Sequence, residues 1–180
     1  MPPDEHHTSD ASLVLRALDG ETAAFTVLFN RHYAPVREFA FRVLLDGHAA
    51  DDVAQESFIC AARKLGTLRD GQAFVAWVYR IATNVARSHL RSQRSHDRKI
   101  RAAGMEGTEV VDDGDAADGR AVLALNAMRS LPPQQREAVA LVIMDGLSHA
   151  EAASRLGCAE STVSWRIFCA KKGLRRKLQS

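Results

Sequence analysis

The stretch LSHAEAASRLGCAESTVSWRIFCAKKGLR (147–175) decides the fold of the C-terminal third of the chain. Ser148 and Glu151 form an S-x-x-E capping box, which predicts a helix start because both side chains satisfy amides of the first turn. Gly157 ends that helix and permits a sharp turn. A second helix begins near Ser161. Two short helices joined in this way are typical of a helix-turn-helix.

The second helix of this motif has two faces of opposite character. Its outward face carries two large aromatic side chains among polar and basic residues, which are costly to leave in water. Base edges and thymine methyls in the DNA major groove would cover them. A second domain or subunit covering the rings is the alternative. The apolar stripe that faces the core, at i, i+4, i+7 and i+11, is Val163, Ile167, Ala170 and Leu174. The opposite face carries Ser161, Trp165, Phe168, Cys169 and Lys172.

Charge is distributed unevenly along the 180 residues, a length that suits one sizeable domain or two small ones. Residues 80–101 are mainly basic, and residues 106–118 contain acids and no base. Residues 155–177 are basic again, with Glu160 the lone acid. This order predicts two polyanion-binding modules joined by a tether.

Several function classes find no support in the sequence. Cys60, Cys158 and Cys169 form no CxxC pair, so neither a disulfide framework nor a metal site is predicted, and packing is the expected role of Cys60 and Cys158. No nucleophile–base pair or phosphate loop is present, so neither an enzyme nor a cofactor is expected. No apolar run has membrane-spanning length and no signal peptide is visible, so we expect a cytoplasmic chain without membrane insertion.

The N-terminal half is also expected to be helical. A long helix from about Glu21 should be perturbed or divided by Pro35. A following helix has Asp51 and Asp52 in its first turn, where acids complement the helix dipole. Its acidic face could dock on a basic partner. The apolar face of this helix comprises Ala54, Phe58, Ala61 and Leu65.

A loop at 66–72 leads into a helix with a polar stripe beside its apolar one. Guanidinium groups with an aromatic ring at their edge suit melted nucleic acid, since phosphates and unstacked bases both find partners there. Trp77 as part of the core, with a merely solvated stripe, is the alternative, and the spacing leaves both open. The stripe consists of Arg80, Asn84, Arg87 and Arg91.

These patterns predict an all-α protein with two small helical domains joined by a flexible acidic linker. The predicted boundaries are a disordered leader at 1–10, a first domain at 11–95, the linker at 96–119 and a second domain at 120–180. The linker is predicted from lost periodicity and from glycines among acids. In the second domain, one of the two prolines Pro132 and Pro133 suits the first turn of a helix.

Three motifs now resemble a known family. DDVAQESF is similar to D-x-x-Q-E-x-F, and FVAWVYRIATNVARSHLRSQR is similar to F-x-x-W-L-x-x-I-A-x-N-x-x-x-D-x-x-R. LPPQQREAVALVIMDGLSHAEAASRLGCAESTV is close to L-P-x-x-x-R-x-x-x-x-L-x-x-x-x-G-x-S-x-x-E-I-A-x-x-L-G. Together they resemble an extracytoplasmic-function (ECF) sigma factor of bacterial RNA polymerase over about 25–95 and 120–178.

The resemblance implies roles for the first domain, as sigma region 2. It would dock on the clamp of the largest polymerase subunit, and then recognise and melt the minus-ten promoter element around a flipped base. The implied polymerase-binding residues are Asp51, Asp52, Gln55, Glu56 and Phe58. The implied minus-ten residues are Lys64, Arg69, Trp77, Arg80, Asn84, Arg87 and Arg91.

The second domain, as sigma region 4, would contact the beta flap and read the duplex minus-thirty-five element. An anti-sigma protein is the further implied partner, and the linker would thread the RNA channel. Where the family commonly has a basic residue followed by Ser-Arg, this chain has Ser164, Trp165 and Arg166, and Cys169 stands where a second arginine often follows. His89 stands at or beside the position where the family often has an aspartate. The implied minus-thirty-five residues are Ser161, Thr162, Ser164, Trp165, Arg166, Phe168, Cys169 and Lys172.

Two other classes stay open. A helix-turn-helix repressor or activator would need a dimerisation surface, for which no long apolar helix is left. A helical adaptor that binds only proteins would leave the aromatic and basic helix face unexplained.

Overall fold

The computed structural model describes residues 8–102 and 119–178, and within these ranges every regular element is helical. This confirms the predicted all-α class. Two single 3-10 turns at Leu65–Thr67 and Gly71–Ala73 connect α3 to α4, and a π-helical turn at Ala140–Met144 extends α6. The helices are α1 (Asp10–Leu18), α2 (Thr22–Leu44), α3 (Gly47–Lys64), α4 (Phe74–Ala102), α5 (Gly119–Arg129), α6 (Pro133–Val139), α7 (His149–Leu156) and α8 (Glu160–Leu178).

The N-terminal helices α1–α4 share an apolar core. Helices α2, α3 and α4 contact one another, and α1 packs on α2. Phe39 of α2, Phe58 of α3 and Phe74 of α4 are at most 3 % exposed. Full burial of such a side chain contributes roughly 1.5–3 kcal/mol, so these rings fix the mutual placement of the three helices.

Pro35 does not divide its helix, which was one of the two outcomes expected of it. Helix α2 is assigned as one unbroken element with Pro35 inside it. An interior proline costs about 3 kcal/mol because it removes a backbone hydrogen bond and crowds the preceding turn. Leu28 before the proline and Val36 and Phe39 after it are buried, each contributing roughly 1.5–3 kcal/mol. Packing on both sides of Pro35 therefore outweighs its local cost.

The expectation that Asp51 and Asp52 occupy the first turn of their helix is wrong. Helix α3 begins at Gly47, and Asp46 caps it by accepting a hydrogen bond from a backbone amide three residues later (2.9 Å). The two aspartates therefore lie one turn further along. The Asp-Gly pair that looks like the end of α2 is instead the start of α3, and α2 is closed by Leu45 with a left-handed φ of 61°.

Two predicted boundaries differ from the helix ends. Helix α1 begins at Asp10, inside the predicted leader, with the Ser9 side chain as its cap. Helix α4 continues past 95 to Ala102, because residues 96–102 contain neither glycine nor proline to stop it. The rest of the predicted linker, up to residue 118, lies outside the described residues.

The helix-turn-helix is formed as predicted by α7 and α8. The capping box is present, with the Ser148 side chain accepting from the Glu151 amide and the Glu151 carboxylate accepting from the Ser148 amide. Gly157 adopts φ 64°, the left-handed conformation that glycine tolerates. Three members of the predicted stripe are buried, and Leu174 is half-buried. At the other end of this half, Pro133 occupies the first turn of α6, as expected.

The N-terminal helices pack against the C-terminal ones. Helix α4 contacts α7, and α2 contacts α6 and the π-helical turn. Arg42 forms an ion pair with Asp145, and the Arg155 guanidinium lies 4.5 Å from the centre of the Tyr79 ring. The two halves of the chain are therefore packed together.

Candidate nucleic-acid and polymerase interface

The outward face of α8 presents an aromatic pair. Trp165 and Phe168 are 64 % and 56 % exposed, and their rings stack with centroids 5.7 Å apart. Lys172 is exposed beside them and lines the same shallow groove. Of the other predicted base readers, Ser161 is exposed, while Thr162 and Cys169 are half-buried. The face offers a flat apolar surface with positive charge at its edge.

Two predicted minus-thirty-five residues point away from that face. The Ser164 hydroxyl lies 2.8 Å from His149 Nδ1 and also donates to the Glu160 carbonyl oxygen. Arg166 has a side chain only 13 % exposed, and its Nη1 lies 3.6 Å from Glu137 Oε2. Ser164 therefore holds α8 against α7, and Arg166 holds it against α6. Each of the two residues lies next to a member of the buried stripe in the sequence.

The stripe on α4 is divided by the packing of the two halves. Arg80, Asn84 and Arg91 are exposed. Arg87 instead donates two hydrogen bonds to Glu137 of α6, which hold the pKa of Arg87 above its usual value. Trp77 is half-buried and packs on the core with its ring centre 6.1 Å from that of Phe74.

Arg80 is exposed but lies close to the helix-turn-helix. A Cβ atom added at Gly157 would lie 3.0 Å from Arg80 Cδ. The stem of Arg80 thus runs over the turn between α7 and α8. Lys64 and Arg69, beside the 3-10 turns that precede α4, are exposed and carry the basic surface further.

The outer face of α3 is acidic and open. Asp52, Gln55 and Glu56 are exposed, and Ile59 beside them is 51 % exposed. Asp51 instead forms an ion pair with Arg37, whose hydrogen bond lowers the pKa of the Asp51 carboxyl below its usual range. An acidic edge with an apolar residue suits a basic protein partner.

Phe58 has a different place from the other predicted polymerase contacts. It is 3 % exposed and meets Phe29 edge to face, with ring centres 5.1 Å apart. The ring cannot reach a partner without unfolding this core. It packs beneath the exposed side chains of α3.

The prediction missed the residues that join the two halves. Glu137 is fully buried, and Arg136 next to it is 9 % exposed, a burial that lowers the pKa of Arg136. Both lie in the REAVAL run (136–141), which begins in α6 and continues into the π-helical turn. The contacts of Arg155 with Tyr79 and of Asp145 with Arg42 could not be predicted, since the partners are distant in sequence.

The described residues also limit other kinds of site. Within 8–102 and 119–178, no three or more His, Cys, Asp or Glu side chains are grouped so that they could hold a metal ion. No helix in those ranges is both long and apolar enough to cross a membrane.

Comparisons with known proteins agree with this geometry. The model of Sigma-70 region 2 matches residues 28–96, and that of Sigma-70, region 4 matches residues 121–174. The RNA polymerase sigma-H factor of Pseudomonas aeruginosa is 34% identical, over 94% of this chain and 94% of that protein. The ECF RNA polymerase sigma factor SigM of Mycobacterium tuberculosis is also 34% identical, over 96% of this chain and 86% of that protein.

A solved structure has the same fold over nearly the whole chain. CnrH in complex with the cytosolic domain of CnrY matches with a TM-score of 0.69 and 26% identity, covering 94% of this chain and 97% of that one. The helical fold and both matched regions define a sigma-70-type transcription initiation factor. The chain belongs to the ECF sigma factors of bacterial RNA polymerase, and its function is to direct that polymerase to promoters.

Proposed function

We propose that this sigma factor grips its promoter at two points, the minus-ten element through α4 and the minus-thirty-five element through α8. The observation that carries the proposal is the exposed aromatic pair of α8, accompanied by exposed Arg80, Asn84 and Arg91 on α4. The two helices lie in the segments matched by region 2 and region 4. The domains assigned to these tasks are 11–95 and 120–180.

The polymerase core docks on the acidic outer face of α3. Asp52, Gln55 and Glu56 contact the clamp of the largest subunit, with Ile59 adding apolar area. Asp51 shapes this face through its ion pair with Arg37. The C-terminal half contacts the beta flap.

At the minus-ten element, the α4 stripe holds phosphates of the melted strand. Arg80, Arg87 and Arg91 supply guanidinium groups, and Asn84 supplies an amide between them. Lys64 and Arg69 border the segment that receives the flipped base. Extruding that base costs a few kcal/mol, which phosphate contacts along the stripe offset. Trp77 supports this surface from the core side.

At the minus-thirty-five element, α8 enters the major groove. Trp165 and Phe168 contact thymine methyls, and Ser161, Thr162 and Cys169 lie close to base edges. Lys172 contacts phosphate. Ser164 and Arg166 stay on His149 and Glu137 of the same half and hold α8 in position for this contact.

A regulatory protein partner fits the same surfaces. The similar protein CnrH was solved in complex with the cytosolic domain of CnrY, and RpoE of Bartonella quintana with the anti-sigma factor NepR. An anti-sigma factor that holds this chain inactive is therefore part of the proposal. The chain would act in the cytoplasm, where polymerase is, on a stress or envelope regulon.

The experiment is reconstitution with sigma-free core polymerase. The purified chain should bind core in size-exclusion chromatography and produce run-off transcripts from a library of bacterial promoters. Core alone and core with heat-denatured chain are the controls. A chain that neither binds core nor yields transcripts would refute the proposal.

A further inference from the structure

One carboxylate joins the two halves of the molecule. The side chain of Glu137 on α6 is fully buried. Arg87 of α4 donates to it through Nε (2.8 Å to Oε1) and Nη2 (2.6 Å to Oε2), and Arg166 of α8 lies 3.6 Å from Oε2. An arginine from each of the two proposed DNA-binding helices therefore meets the same group.

The geometry of the Arg87 pair resembles that of phosphate binding. A guanidinium presents two parallel N–H groups to a carboxylate or to a phosphate in the same side-on manner. While Glu137 holds Nε and Nη2, Arg87 cannot present that same edge to a phosphate. Glu137 and a promoter phosphate thus compete for Arg87.

Other contacts close the same interface. The stem of Arg80 lies against the turn at Gly157, and Arg155 stacks on Tyr79. At the edge, Arg42 of α2 pairs with Asp145 after the π-helical turn. Arg42 and Asp145 belong to none of the proposed DNA- or polymerase-binding sets, so they allow the interface to be tested alone.

We propose that Glu137 is an internal competitor of promoter DNA, holding Arg87 while the chain is free, so that the two halves must separate before the full arginine stripe meets phosphate. This inference rests on the proposed function, since it concerns the same stripe. The partner that masks the α4 surface is the C-terminal half of the same chain. No second protein is needed for the masking.

The mask is reversible for a physical reason. An isolated buried carboxylate is strongly unfavourable, but Glu137 keeps Arg166, which belongs to its own half, when Arg87 leaves. The Arg42–Asp145 pair lies at the edge, where both side chains are at least 20% exposed, and such pairs contribute little. Asp52, Gln55 and Glu56 are exposed in the closed form, so core polymerase can dock before the halves separate.

The test uses two reversals at the edge pair. Arg42→Glu and Asp145→Arg change the net charge in opposite directions, yet each breaks the pair and sets like charges against each other. Binding of the full chain to a mixed-sequence single-stranded DNA of about 20 nucleotides is measured by fluorescence anisotropy, with the radius of gyration from X-ray scattering. Both variants should be more extended and bind more tightly, because repulsion replaces attraction at the edge. If about nine in ten free molecules are closed, complete opening limits the gain in affinity to about tenfold.

The matched control is the double variant Arg42→Glu, Asp145→Arg, which restores an opposite-charge pair and the wild-type net charge. It should return both the radius of gyration and the DNA affinity toward wild-type values. Tighter binding by Asp145→Arg alone would be an effect of added positive charge and would refute the mask. Unchanged dimensions in both single variants would refute it as well.

Glu137→Gln gives a second test that removes the competitor itself. Thermal melting monitored by circular dichroism verifies folding, and the folded variant should bind the same DNA about tenfold more tightly. Should this variant fail to fold, the edge-pair variants decide.

Reconstituted transcription separates this inference from the proposed function. If wild-type holoenzyme initiates at promoters while the edge-pair variants leave free-chain affinity unchanged, the mask alone fails. If the variants bind more tightly but core yields no transcripts, the proposed function fails.

Discussion

Phe168 and Arg166 are two positions apart on α8 and have opposite environments. Helical periodicity predicted the exposed aromatic pair, because a face opposite the buried stripe must be outward. Periodicity could not place Arg166 and Ser164, which flank that stripe and whose partners Glu137 and His149 come from other helices. Single residues at the border of a face depend on tertiary contacts that local spacing does not contain.

The aromatic pair leads to the first prediction. Phe168→Ala should weaken binding to the minus-thirty-five element by about 1–3 kcal/mol and leave binding to core polymerase unchanged. The reason is that the ring is exposed and is not part of the hydrophobic core. Electrophoretic mobility shift of the reconstituted holoenzyme on a transcribed promoter measures this. Replacing the minus-thirty-five thymines by uracil removes only the C5 methyl. This replacement should lower the promoter affinity of the wild-type holoenzyme, and should lower that of the variant less. An equal loss of core affinity would mean that the ring is structural.

Gly157 gives a second residue-scale prediction. Gly157→Ala should destabilise the fold by about 1–2 kcal/mol, because φ of 64° is strained for any residue with a Cβ atom. Urea denaturation followed by circular dichroism measures it. The matched control is Gly173→Ala in the interior of α8, where a Cβ would lie 4.0 Å from Leu131 Cδ2, an ordinary contact. That variant should gain about 0.5–1 kcal/mol. The reverse ranking would contradict the assigned turn.

At the scale of elements, local rules predicted most helices and failed where a neighbouring feature overrode them. The capping box at Ser148 and the end of α7 at Gly157 involve only nearby atoms, so the sequence sufficed. Pro35 does not break α2, because burial on both sides of it is a tertiary effect. Asp46 takes the cap of α3, so Asp51 is left to pair with Arg37 from α2.

The outer face of α3 gives the element-scale prediction. Asp52→Lys combined with Glu56→Lys should weaken core binding by about tenfold or more, since both carboxylates are exposed and would meet a basic surface. The dissociation constant with labelled core polymerase measures it. Asp19→Lys changes another exposed acid, in the turn after α1, and is the control that should have little effect. Unchanged affinity in the double variant would exclude α3 as the docking helix.

At the scale of the whole molecule, the all-α class and the helix-turn-helix were predictable, and the closed arrangement was not. The apolar stripes of each half are accounted for by the core of that half. No further apolar stripe was left in the sequence to predict an interface between the halves. The contacts that close it, Arg87 with Glu137 and Arg42 with Asp145, join residues far apart in the chain. The spacing of the arginines on α4 predicted a stripe suited to binding phosphate. It did not predict that a carboxylate of the same chain, Glu137, binds one of those arginines.

The most direct test of the two-point grip is to transcribe a promoter library with the reconstituted holoenzyme and to sequence the start regions. The wild type should select two separate elements upstream of the start. The double variant Arg80→Ala, Arg91→Ala should weaken the sequence preference only at the downstream element. The double variant Trp165→Ala, Phe168→Ala should weaken it only at the upstream element. Relaxation of the same element by both double variants, or starts that share no second element, would contradict the account.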